Sequence, residues 1–114
     1  MRIHYLEIVT DDVDGVCYSL AASRGADFGE PDARLGGARI AHLSDGGMVG
    51  VRAPMSASEQ PVVRPYWLVD DIEAAVAAAA DAGAEVAHPP LELSGLGTFA
   101  ITLAGGTQQG FWPT

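Results

Sequence analysis

The chain has 114 residues, enough for one domain and too few for two that fold independently. Hydrophobic residues make up 48% of it, which supplies a core and excludes disorder as the main state. Six basic residues, all arginine, stand against fifteen acidic ones, and the net charge of −9 opposes a phosphate backbone or an anionic membrane surface as partner. The lone Cys17 has no intramolecular disulfide partner, no secretory leader is read at the start, and no apolar run approaches the roughly 20 residues that span a bilayer. A cytoplasmic protein that binds neither nucleic acid nor membrane is expected.

The predicted elements come twice. Ile3–Val9 reads as an apolar strand, followed by Asp11-Asp12-Val13-Asp14 at a helix start; Tyr66–Val69 is followed in the same way by Asp70-Asp71-Ile72-Glu73. Asp11 and Asp70 are read as the caps, whose side-chain oxygens accept the free N–H groups of a first turn, with Asp14 and Glu73 three residues on completing a box-like pattern. In the first helix, expected near 12–24, Val13, Val16, Cys17, Leu20 and Ala21 form one apolar stripe. Ile72, Ala75, Val76, Ala79 and Ala80 form the second, near 71–82, and its alanines predict a helix packed close to whatever it covers. Gly25 and Gly83 close the helices, and a short strand and a proline (Pro31, Pro89) follow each.

Beyond the helices the period becomes two. Ala38–Leu43 and Met48–Arg52 flank a Ser44-Asp45-Gly46-Gly47 turn, and Thr98–Leu103 and Thr107–Trp112 flank Ala104-Gly105-Gly106, so each half ends in a hairpin. Residues 54–61, PMSASEQP, read as a linker. The expected organisation is a single 1–114 domain of two tandem βαβββ units, 1–54 and 62–114, with eight strands and two helices in an α+β fold.

Two βαβββ units, and in particular YWLVDDIEAAVAAAADAGAEVAHPP followed by GTFAITLAGGTQQGFW, resemble the glyoxalase, bleomycin-resistance and extradiol-dioxygenase superfamily, the vicinal oxygen chelate proteins. The likeness covers nearly the whole chain, although Leu103-Ala104-Gly105-Gly106 stands where the family's usual Asp-Pro-x-Gly turn would lie. It implies curved sheets around a cleft with helices outside, and in the family's enzymes a divalent metal held by the first and last strands of each unit. Carried over, those metal positions fall on His4, Gly50, Arg64 and Gly110. One imidazole, two glycines and a fixed cation make a poor metal set, so no metal and no cofactor is expected. A register slip would bring in Glu7, Gln108 or Gln109 as donors.

Other residues admit a functional and a plain reading. Glu7, a carboxylate within an apolar strand, is either paired with a strand arginine or a general base at the cleft. His4 is either a hydrogen-bonded histidine of the fold or a group touching ligand, and with Glu7 it is a candidate catalytic residue. His42 and His88 read as structural or exposed. Arg52 and Arg64 are either exposed or in structural ion pairs, or they clamp a carboxylate or enolate on a small molecule. Among Tyr66, Trp67, Phe99, Phe111 and Trp112, half should be core by alternation and half should line a pocket. Loop 89–97, PPLELSGLG, is either a lid or an ordinary connection.

The function expected is binding of a small apolar or aromatic molecule, with or without an acid group, in a metal-free cleft lined by His4, Glu7, Arg52, Arg64, Tyr66, Trp67 and Phe111. The alternatives are a metal-dependent lyase or dioxygenase of the same superfamily, or a metal-independent enzyme with Glu7 or His4 as base. A homodimer is expected from the alanine-smooth second helix and the aromatics near the carboxyl end.

Overall fold

The computed structural model covers residues 1–114. Both acidic helix starts are used, each one residue later than the sequence suggests. Asp12 caps α1 (Val13–Arg24) by accepting from Gly15 N–H, and Asp71 caps α2 (Ile72–Asp81) by accepting from Ala74 N–H. In an Asp-Asp pair only the residue next to the first helical turn reaches its third amide, so Asp11 and Asp70 are displaced from the cap and the box with Asp14 and Glu73 does not form. Gly25 closes α1 in the left-handed conformation, at φ 67°.

The chain divides into two compact units, Tyr5–Val63 and Arg64–Thr114, the latter joined by Met1–His4. In the first, β1 (Ile3–Val9) runs parallel to β3 (Met48–Arg52), with Glu7 opposite Gly50, and β2 (Arg39–His42) pairs antiparallel to β3. In the second, β4 (Val62–Val69) runs parallel to β7 (Thr107–Pro113), with Tyr66 opposite Gly110. β6 (Gly97–Ala104) then pairs with β7, and β5 (Glu85–Leu93) with β6, both antiparallel. The amino-terminal residues run beside β4, where Leu68 N–H donates to the Arg2 carbonyl at 2.8 Å. In both units the opening strand thus lies parallel to the closing one.

The fold is α+β with two helices, as expected, but it has seven strands rather than eight. Residues 26–31, ADFGEP, form none: glycine, proline and two acids in six positions carry little strand preference. The chain instead makes a 3₁₀ turn at Ala33–Leu35, closed by the bridge Asp32–Ala38. Loop 89–97 also differs from expectation. Its first half, Pro89–Leu93, extends β5, and only a short turn remains before Gly97. Two prolines fit there because β5 is bonded on one side only and is irregular around His88, where missing donors cost nothing.

The first unit's core holds Tyr5, Val9, Cys17, Ala38, Ala41 and Val51. Of the α1 stripe only Cys17 is fully buried, and Ala21 is exposed. Burial pushes the Cys17 thiol up from its ordinary value, which agrees with its reading as core rather than nucleophile. In the second unit Ile72 and Val76 of α2 rest on Ala100, with Val69 and Phe111 packed beside them.

The cap assignment is tested by paired variants. Asp71→Ala should lower stability by about 1 kcal/mol, the usual cost of a lost N-cap, and Asp70→Ala by less than about 0.5 kcal/mol, both read from urea midpoints at unchanged slope.

Candidate ligand-binding site

The second unit's sheet has two faces. Alternation along β4, β6 and β7 sends Trp67, Ala100, Thr102, Gln109 and Phe111 toward α2, and Arg64, Tyr66, Phe99, Gln108 and Trp112 to the other side. The Tyr66 ring lies over Gly110, where a Cβ would land within the ring. From there it meets Trp112 edge-on at 6.1 Å between centroids and Phe99 at 6.3 Å. His4 continues the row on one side, 5.6 Å from Trp112. On the other, His88 leans on Phe99 at 4.7 Å, its Nδ1 2.8 Å from the Pro89 carbonyl.

Within this aromatic wall sits a guanidinium. Arg64 is 8% exposed. Its Nε donates to Gln108 Oε1 at 2.6 Å, and its Nη1 reaches the Tyr66 hydroxyl at 3.4 Å. Gln108 and Tyr66 orient the guanidinium at the edge of a π surface, an arrangement suited to a flat molecule that carries an anionic group.

His4 is half-buried, and burial first, then the charge of Arg2, hold its imidazole below the ordinary 6.5. It is neutral at pH 7. A depressed folded-state value means that the unfolded chain binds the proton more readily, so the stability from neutral His4 is complete above about 6.5 and declines as pH falls through that value.

Glu7 and Arg52 lie in the first unit and are paired with each other. Arg52 Nε donates to Glu7 Oε2 at 2.8 Å, and its Nη1 and Nη2 grip both oxygens of Glu59 at 2.8 Å each. Glu59 also accepts from Met55 N–H at 2.7 Å, so the linker is pinned to the end of β3. Glu59 above all, then Glu7, holds the Arg52 proton well above the ordinary guanidinium range against the opposing effect of burial. The strand-arginine pairing weighed for Glu7 is therefore what the structure shows.

Of the seven site residues read from sequence, His4, Arg64 and Tyr66 share the aromatic face. Trp67 and Phe111 project to the α2 side, where Trp67 Nε1 donates to Gln109 Oε1 at 2.7 Å. Glu7 and Arg52 form the ion cluster. The face itself adds Phe99, Trp112, His88 and Gln108, and parity with Tyr66 and Gly110 was the signal that would have selected the first two. His42 is exposed at the end of β2.

The sequence matches no family model and no curated protein sequence. Solved structures match throughout. The chain has the fold of the glyoxalase, bleomycin-resistance and extradiol-dioxygenase superfamily, to which its methylmalonyl-CoA epimerase neighbours belong. Streptomyces coelicolor methylmalonyl-CoA epimerase in complex with 2-nitronate-propionyl-CoA matches at TM-score 0.70 and 19% identity, over 100% of this chain and 97% of that one. The Mycobacterium tuberculosis epimerase matches at 0.71 and 15%, over 97% and 86%. A hypothetical protein from Bacillus halodurans matches at 0.75 and 16%, over 99% and 94%.

The superfamily's metal does not fit the residues present. At two of the four carried-over positions, Gly50 and Gly110, the space for a donor side chain is filled by the Tyr5 hydroxyl and the Tyr66 ring. At the third stands the Arg64 cation. Nor does any group of three His, Cys, Asp or Glu side chains come together in the structure.

Two predictions follow from the ionisable groups. Arg52→Ala leaves a carboxylate in a buried place without its cation and should cost about 3–5 kcal/mol in denaturant unfolding, more than Glu59→Ala, which removes the outer partner. Wild type should lose stability on acidification from pH 7 to below 6.5 more steeply than His4→Gln, as thermal midpoints measured across that range will show.

Proposed function

We propose that the chain binds a small aromatic or apolar molecule bearing a carboxylate or similar anion on the Arg64 face of its second unit, without a metal. The observation that carries this reading is a buried guanidinium held by Gln108 and Tyr66 at the edge of a wall of Tyr66, Trp112, Phe99 and His4 rings. The ligand's ring stacks on the partly exposed members of the wall, Phe99 and His4, which the buried Tyr66 and Trp112 back, and its anion takes the charge-assisted hydrogen bonds of Arg64. A solved neighbour holds methylmalonyl-CoA, a ligand whose acyl part also carries a carboxylate.

An enzymatic version of the same site is favoured by one observation. Burial keeps His4 in the neutral form that accepts a proton, and it stands at the end of the wall, 5.6 Å from Trp112. Glu7, the other base considered, is engaged by Arg52 in the first unit.

The test is calorimetric titration with benzoate, phenylacetate and their uncharged amides, with and without EDTA or added zinc, manganese or iron. The acids should bind better than the amides, and chelator or metal should change nothing. Arg64→Ala should weaken the acids by about 1.5–3 kcal/mol, roughly ten- to hundredfold, and leave the amides alone. Equal binding of acid and amide would sink the proposal, and near-stoichiometric metal lost on His4→Ala would restore the metal-dependent lyase or dioxygenase reading.

A further inference from the structure

The alanine-rich stripe of α2 predicts close packing on the sheet, and its first half delivers it through Ile72 and Val76. The second half does not. Where the stripe continues, Ala79, Ala82 and Gly83 offer methyl groups or nothing, and a groove of about 710 Å³, open to solvent, runs between them and the strands. Both ends of the helix are fixed, so it has no freedom to settle into that space. Asp71 caps the start, while at the other end Ala82 N–H bonds Ala78, Gly83 N–H bonds Ala80 and Ala84 N–H bonds Ala79, just before Glu85 enters the sheet opposite Leu103.

We propose that this gap is a second ligand site, separate from the Arg64 face, for an uncharged aromatic molecule of one or two fused rings. The volume falls in the range of small-molecule pockets, about 300–1,000 Å³. Trp67 and Phe111 form its sheet wall and no charged side chain lines it; the α-amino group of the fully exposed Met1 lies at its rim, so an ionised ligand would lose hydration without a buried partner. The indole is held in place. Its Nε1 donates to Gln109 Oε1, and Gln109 Nε2 in turn donates to the Thr107 hydroxyl at 3.3 Å. A fixed flat wall facing a smooth alanine surface selects flat molecules. One buried hydroxyl marks the floor: Thr102, 2% exposed, donates to the Gln109 carbonyl only at a long 3.5 Å, leaving its oxygen able to accept from a phenolic hydroxyl. Trp67 and Phe111 point away from Tyr66 and Trp112, so the thickness of the sheet separates the two sites.

The two tryptophans make the sites separately readable. In ¹⁵N-labelled protein, titration with 2-naphthol or indole should shift the Trp67 indole N–H and the amides of residues 79–84, whereas benzoate should shift the Trp112 indole. Ala79→Leu, a good helix former that fills the gap, should raise the thermal midpoint and weaken naphthol at least tenfold. Ala82→Leu, at the exposed helix end, carries the same test if the first variant does not fold. Arg64→Ala should leave naphthol unchanged, so the two sites fail independently. An unmoved Trp67 signal at millimolar naphthol, or unaltered naphthol affinity in the filled variant, overturns the proposal.

Discussion

A tyrosine ring laid across a glycine of the neighbouring parallel strand occurs once in each unit, and much of the surrounding structure follows from it. A Cβ at Gly110 would stand inside the Tyr66 ring, and one at Gly50 would fall on the Tyr5 hydroxyl. With nothing projecting from the glycine, the tyrosine lies over the adjacent strand instead of standing away from it. In the second unit this brings the Tyr66 edges to Trp112 and Phe99 and its hydroxyl to Arg64. A metal ligand on the closing strand and a tyrosine lying over it compete for one volume, so the same contact that builds the wall removes the superfamily's donor.

The two copies of this device are set differently in register, since Tyr66 faces its glycine directly and Tyr5 reaches Gly50 from two residues before Glu7, and they support different chemistry. Two residues beyond Tyr5 and Gly50 are Glu7 and Arg52, an ion pair with side chains 9% and 4% exposed. Two residues beyond Tyr66 and Gly110 are Leu68 and Trp112. By register, Glu7 opposite Gly50 corresponds to Tyr66 opposite Gly110, so the first unit puts a carboxylate where the second puts the ring that builds its wall. A buried ion pair is weak evidence of net stabilisation, because desolvation of both charges offsets their attraction. What Arg52 does is join distant segments: it ties β1, β3 and the 53–61 linker at one point, which an apolar pair at the same place would leave unconnected.

The repeat, both helices and both hairpins were legible because each rests on a local signal: an acidic cap, an apolar stripe, or a glycine-rich turn between alternating residues. The errors arose where local signals tie or where a distant residue decides. Asp11 and Asp12 are equal as caps by composition, and only the position of the first turn separates them. Glu59 was invisible because nothing in PMSASEQP points to an arginine in the preceding strand; the link is made by the return of the chain. A single site holding both Tyr66 and Trp67 conflicts with the opposite facing of adjacent strand residues. Applied strictly, the period of two would have selected Phe99 and Trp112 in place of Trp67 and Phe111. The 89–97 segment misled because two prolines argue against a central strand while remaining compatible with an edge.

The charge distribution also limits how the Arg64 face can work. With a net charge of −9, the field beyond a few ångströms repels an anion rather than gathering it. Arg34 is paired with Asp32, Arg39 with Asp14 and Arg52 with two glutamates, so these positive charges are matched locally. Attraction for an acid must therefore be short-range and generated within the wall, where low polarity strengthens the Arg64 hydrogen bonds and Gln108 and Tyr66 keep the guanidinium oriented. Encounter and retention then differ in their dependence on salt. Screening over about 8 Å at physiological ionic strength relieves the long-range repulsion and speeds arrival, while the buried contact, shielded from solvent ions, changes little. A site of this kind discriminates by residence on the aromatic wall rather than by capture from solution, which puts the selectivity in the ring contacts and the anion in the role of fixing orientation.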